Sequence, residues 1–106
     1  MELAIYWLQF AEEKLKDIFD YYSVNASVNV ARKIILGIID KTIELDKNPQ
    51  KGQVEELLKH RKQEFRFVLY KNYKIIYWIN YEKKRIEIAN IFDARQNPVK
   101  IKKTSV

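Results

Sequence analysis

Cysteine is absent from the 106 residues and histidine occurs once. A disulfide framework and a thiolate zinc site are therefore excluded, and His60 alone offers too few ligands for a metal centre. The expectation is a protein that works with no metal and no cofactor. With only 2 glycines and 2 prolines, no glycine-rich loop can cradle a nucleotide phosphate, and a loop-dominated or disordered chain is equally excluded. Long apolar runs are missing too. No stretch approaches the ~18 residues of a membrane span, and the start MELAIYWLQFAEE has neither the basic opening nor the apolar run of a signal peptide. The chain is read as cytoplasmic. Positive charge is in excess, 20 Lys and Arg against 14 Asp and Glu for a net +6. That favours a polyanionic partner, either nucleic acid or an acidic protein that covers the surface.

The length suits one domain, residues 1–106. Leu3, Ile5 and Trp7 alternate with Ala4, Tyr6 and Leu8, which predicts a short strand covered on both faces. From Gln9 the period lengthens. Ala11, Leu15, Ile18, Phe19 and Tyr22 fall on one helical stripe, with Glu12, Glu13, Lys16 and Asp17 outside it. Ser23 to Ser27 interrupts the pattern. A second stripe follows in Ala31, Ile34, Ile35, Ile38, Thr42 and Leu45, with Ser27 or Asn25 as N-cap. It must stop before Asn48-Pro49, where Gly52 is expected to supply a positive φ. The polar stretch Gln53 to Gln63 reads as a loop with at most one helical turn.

Three strands follow in Glu64 to Arg95. Phe65, Phe67 and Leu69 alternate, as do Tyr73, Ile75, Tyr77 and Ile79, with Lys71-Asn72 between as a hairpin turn. Residues 99–106 form a basic tail, either frayed or an arm that binds something. The predicted fold is α+β: an N-terminal strand, a helical hairpin and a three-stranded antiparallel meander. The helices pack on one face of the sheet and the other face stays partly open.

The candidate chemistry lies in the cations. A Ser-His-Asp site has no support, and Glu55-Glu56 reads as a solvated pair. Arg66 and Lys74, with Asn90, are expected on the strand face opposite the core, and Arg95 lies just past the last strand. If the hairpin brings Arg66 and Lys74 to one face and Arg95 reaches them, the three can hold a scissile phosphate as in a metal-free ribonuclease. The other reading makes them ordinary solvent-face charges. Trp78 is the aromatic expected to face a partner, and Lys100, Lys102 and Lys103 form a second binding cluster.

The chain resembles the RelE/ParE superfamily, the toxins of bacterial type II toxin-antitoxin modules, formerly called plasmid stabilisation proteins. The carriers are Trp7, Ala11-x3-Leu15-x2-Ile18-x2-Tyr21, then Ala31, Ile35, Ile39 and Leu45-x3-Pro49-x2-Gly52. Glu56, Phe65-Arg66, Tyr73-x-Ile75-x-Tyr77, Ile86-x-Ile88 and Ile91-Phe92-Asp93-x-Arg95-Gln96-Asn97-Pro98 complete them. The resemblance implies growth arrest relieved by a cognate antitoxin, whose acidic or apolar C-terminal segment wraps the toxin, in a homodimer or a heterotetramer with that antitoxin. One branch of the superfamily cleaves mRNA on the ribosome, and Arg66, Lys74 and Arg95 match its basic residues. Its C-terminal Tyr or His is missing: the chain reads Pro98-Val99-Lys100-Ile101 there, and Val68 replaces a second strand cation. A proton-transfer group contributes typically ~10²–10⁴-fold. The Pro-x2-Gly loop resembles the ParE branch, which implies DNA gyrase as target, with an mRNA endonuclease or a degenerate, non-toxic member as alternatives.

Overall fold

A computed structural model describes residues 3–104 of the chain. Among these, β1 (Ala4–Trp7) is followed by α1 (Gln9–Asn25) and α2 (Val28–Ile43), and then by β2 (Gln53–Val54), β3 (Arg66–Tyr70), β4 (Tyr73–Asn80) and β5 (Arg85–Asp93). The strands form one sheet in the order β1-β5-β4-β3-β2. β1 runs parallel to β5, and the remaining pairs are antiparallel. This is the expected α+β arrangement with one strand more. Gln53 and Val54, read as loop, pair with Phe67 and Arg66, a ladder too short to leave a period in the sequence.

The helical hairpin follows its apolar stripes. Ala11 and Ile18 from α1, and Ala31, Ile34, Ile38 and Thr42 from α2, are buried. They face Ile75, Tyr77, Ile86, Ile88 and Ile91 of the sheet. Ser27 is the N-cap of α2, its Oγ accepting from the Val30 N–H at 3.1 Å. Asn25 instead closes α1, its side-chain amide donating to the Tyr21 carbonyl at 2.8 Å. On β1 only Ile5 and Trp7 join this core. Tyr6 is 44% exposed, so β1 is covered on one face and not on both as expected. Its ring carries the Arg85 guanidinium at 3.8 Å.

The second face is not open. Leu58, Phe65, Ile76, Ala89, Phe92 and Ile101 form a further buried cluster there, covered by a 3-10 turn, Glu56–Leu58, and a 3-10 helix, Pro98–Lys103. The basic tail is thus folded onto the sheet through Ile101 and the buried Thr104; Ser105 and Val106 lie outside the described residues. A bulge in β5 feeds this cluster. Ile76 pairs with Asn90 and Tyr77 with Ile88, so Ala89 has no partner in the ladder and is buried beside Asn90.

Gly52 does not adopt a positive φ. Glycine is required there by close approach: a Cβ would lie 2.5 Å from the Tyr77 hydroxyl and 2.7 Å from the Phe67 carbonyl oxygen.

Candidate functional site

The two-residue turn decides where the candidate cations go. Tyr70 pairs with Tyr73 across Lys71-Asn72, with Lys71 at φ 52°, and this register sets Arg66 opposite Tyr77 and Leu69 opposite Lys74. Directly opposed residues share a face. Arg66 therefore lies on the helix side with Tyr77, and Lys74 on the other side with Phe67 and Ile76. The expected convergence of Arg66 and Lys74 does not occur.

Arg66 is occupied by the chain itself. Its guanidinium donates to the Gly52 carbonyl at 2.8 Å and to the Glu64 carboxylate at 2.9 Å, with only 17% of the side chain exposed. Beside it the Tyr77 hydroxyl donates to the Pro49 carbonyl at 2.7 Å and accepts from the Gly52 N–H at 2.9 Å. Burial pushes the Tyr77 phenol up, against the opposing effects of the Gly52 N–H and Arg66. Together these two side chains fix the loop after α2.

Lys74 is likewise paired. Its Nζ donates to Glu55 Oε1 at 2.9 Å and lies 4.2 Å from the centre of the Phe67 ring. Glu55 is 3% exposed and also accepts from the Leu57 N–H at 3.2 Å. It is the buried partner of Lys74 and the cap of the 3-10 turn, and not half of a solvated pair.

Arg95 sits past the far end of the sheet, two residues beyond Asp93, which is itself four residues or roughly 13 Å along the strands from the level of Arg66. It grips Asp93 through Nε at 3.1 Å and Nη2 at 2.9 Å, while 64% of its side chain is exposed. These bonds, with one from Asn72, hold the Asp93 carboxyl down at about 2 and raise the Arg95 guanidinium further. A cleft of about 490 Å³ opens here, lined by Lys14, Asp17, Tyr21, Tyr73 and Arg95. The Tyr73 hydroxyl donates to that of Tyr22 at 3.4 Å, and burial followed by that bond raises the Tyr73 pKa.

Trp78 is half-buried, not an exposed platform. Its Nε1 donates to Glu87 Oε1 at 3.0 Å, and Glu87 Oε2 takes Arg85 Nε at 2.7 Å and Asn80 at 3.1 Å. Burial alone would raise the Glu87 pKa; those three donors outweigh it and leave it lowered. Asn90, expected on a cationic surface, is 1% exposed and donates to Thr104 Oγ1 at 3.0 Å. Lys100, Lys102 and Lys103 are exposed on the 3-10 helix, with no ion-pair partner among the described residues.

One surface went unanticipated. Trp7, Leu15, Phe19, Ile35 and Ile39 line an apolar groove of about 580 Å³ between α1 and α2, rimmed by Glu12, Lys16 and Asp20. The signal was available: Phe19 and Ile39 widen the two apolar stripes beyond what the sheet covers. Among the described residues no cluster of three His, Cys, Asp or Glu could hold a metal ion, and no helix is long and apolar enough to cross a membrane.

Among solved structures, the chain is similar to one described as the chromosomal ParDE TA system from P. aeruginosa, with a TM-score of 0.71 at 18% identity. The likeness covers 87% of this chain and 96% of that one, and at such identity it speaks for the fold alone. No curated protein matches the chain. The family model of the ParE toxin of type II toxin-antitoxin system, parDE, matches residues 5–98, a span that runs from within β1 through β5 to the first residue of the C-terminal 3-10 helix. The chain therefore belongs to the ParE toxin family of type II toxin-antitoxin systems.

Proposed function

We propose that this chain is a cytoplasmic toxin that acts by binding and not by catalysis, with DNA gyrase as its target, and that a cognate antitoxin neutralises it. The observation that carries this reading is the dispersal of Arg66, Lys74 and Arg95. They occupy two faces and two ends of the sheet, and each already holds a carboxylate. Such an arrangement gives a scissile phosphate no converging set of donors, and no Tyr or His follows Tyr81 to move a proton. A ribosome-dependent mRNA endonuclease would need all three to turn toward one substrate.

Two features suit an antitoxin segment. The apolar groove over Trp7 accepts an apolar helix face. The outer edge of β1, which among the described residues pairs only with β5, leaves backbone groups for an added strand.

The test is incorporation of labelled thymidine and labelled methionine within minutes of inducing the chain alone in bacteria. The proposal expects thymidine incorporation to fall first. An earlier fall in methionine incorporation would replace it with mRNA cleavage, and no change in either would remove the toxic role.

A further inference from the structure

Two stretches distant in sequence meet on the second face of the sheet. Leu58 and Ile101 are both fully buried in one cluster. Above them Arg61 Nη2 donates to the Lys102 carbonyl at 2.8 Å and to the Thr104 carbonyl at 2.9 Å. The latch joins the segment carrying Lys59, His60, Arg61 and Lys62 to the segment carrying Lys100, Lys102 and Lys103.

Few carboxylates temper this surface. Glu56 pairs with Lys59 at 3.2 Å, whereas Glu55 is drawn to Lys74 and Glu64 to Arg66. The positive field also reaches α1. Burial lowers the Lys14 pKa, Asp17 opposes that, and Lys100 lowers it further.

The nature of the partner follows from magnitudes. An exposed lysine paired with a peptide carboxylate contributes little, and the cavity of about 350 Å³ beside Lys59, Arg61 and Lys62 is lined by Glu56 and Glu64 as well as by Val54 and Phe65, carboxylates that repel those of an acidic peptide. A nucleic-acid helix differs, because it carries one charge per ~1.7 Å of axis and releases counterions at each neutralised phosphate. Tyr6, Tyr21 and Tyr81 are the exposed Phe, Tyr or Trp side chains among the described residues, and none lies in either stretch. Unpaired bases would find a single ring there, His60, and no succession of aromatic platforms. Lysines, moreover, contact phosphates as point charges and lack the bidentate fork that suits base edges.

We propose that the surface joined from residues 59–62 and 98–103 binds the phosphate backbone of a nucleic-acid double helix without reading its sequence. The binding is a property of the chain alone and stands whether or not gyrase is its target.

The test is fluorescence anisotropy of the full chain against a DNA duplex and an RNA hairpin of arbitrary sequence, over a salt series. The unmodified chain should bind one or both with Kd in the range of ~10⁻⁴–10⁻⁶ M, the slope of log K against log salt reporting ~0.9 per phosphate contacted on DNA. The variant K100E/K102E/K103E should bind at least about tenfold more weakly with a shallower slope. R32E/K33E/K47E changes net charge equally on exposed positions elsewhere and should bind as the unmodified chain does. DNA binding alone, or RNA binding alone, supports the proposal and names the source of the phosphates. Equal losses in the two triple variants would reduce the effect to net charge and overturn it. So would binding to a polyglutamate peptide with none to either nucleic acid.

Discussion

On the helix side of the sheet, Ile38, Leu45, Ile75, Tyr77, Ile86 and Ile88 are without solvent exposure and are held by apolar area and shape. On the other side a smaller cluster around Phe65, Ile76 and Ile101 is crossed by polar links: Lys74 to Glu55, Asn90 to Thr104, and Arg61 to two carbonyls of the C-terminal segment. The difference follows from what covers each face. Two helices of 17 and 16 residues satisfy most of their own backbone and need only bury a stripe. Single 3-10 turns leave most backbone groups unpaired, so the second cover is fastened by side chains. The cations cluster where the cover is polar, and the fastening residues are drawn from the same charged set as the exposed ones.

Truncation separates the two kinds of cover. Ile38→Ala, at a site of 0% exposure, should cost about 4 kcal/mol in denaturant unfolding through lost transfer energy and a cavity that rigid helices cannot close, and no polar second substitution should restore it. Lys74→Ala should cost about 3 kcal/mol by leaving Glu55 buried without its cation. Here the loss is in the orphaned partner, so Lys74→Met combined with Glu55→Gln should recover most of it. If the double variant is no more stable than Lys74→Ala, the second face is held by apolar area as the first is.

The same contrast explains what could be read from the chain. The helical stripes, the Ser27 cap and the Lys71-Asn72 turn were legible because each is local: a 3.6-residue period, one hydroxyl, one two-residue loop. The face taken by Arg66 was not. On β3 both alternating sets carry two large apolar residues, Phe67 and Leu69 against Val68 and Tyr70, so periodicity does not choose between them and the register alone decides. Leu69 in fact is 53% exposed, although its alternation with Phe65 and Phe67 placed it in the core. Lys74 and Glu55 are 19 positions apart and Arg61 and Lys102 are 41 apart, and nothing local marks either pair. The exposure of Lys100, Lys102 and Lys103 was visible as composition; the folding of their segment onto Asn90 was not, because it depends on a bulge at Ala89.

A smaller effect tests how much polar fastening the helix face carries beyond Arg66. Tyr77→Phe keeps the ring in the core but removes the hydroxyl that joins the Pro49 carbonyl to the Gly52 N–H. Orphaning that buried donor should cost about 1–2 kcal/mol by thermal unfolding. An unchanged stability would mean that Arg66 alone holds the loop, and the helix side would then be the more purely apolar of the two.

The smallest effect is expected at the rim of the sheet, where Asp93 is bound by Arg95 and Asn72. The Asp93 carboxyl is held at about 2 against an ordinary 3.8, chiefly by the Arg95 side-chain hydrogen bonds. A folded-state pKa below the unfolded one means that the ionised form stabilises the fold above pH 3.8, and that this contribution disappears as the pH falls from 3.8 toward 2. Asp93→Asn should therefore be less stable than the unmodified chain at pH 6, and the gap should close between pH 4 and 2. Comparing the two proteins at each pH cancels the contribution of Glu87, whose carboxyl is also lowered and titrates in both. Since most of the Arg95 side chain is exposed, salt should narrow the gap at pH 6 as well. Were there no gap at any pH from 6 to 2, Asp93 would act through the backbone N–H of Arg95 and the Asn72 amide, donors that an asparagine oxygen accepts equally well, and its charge would add nothing to the fold.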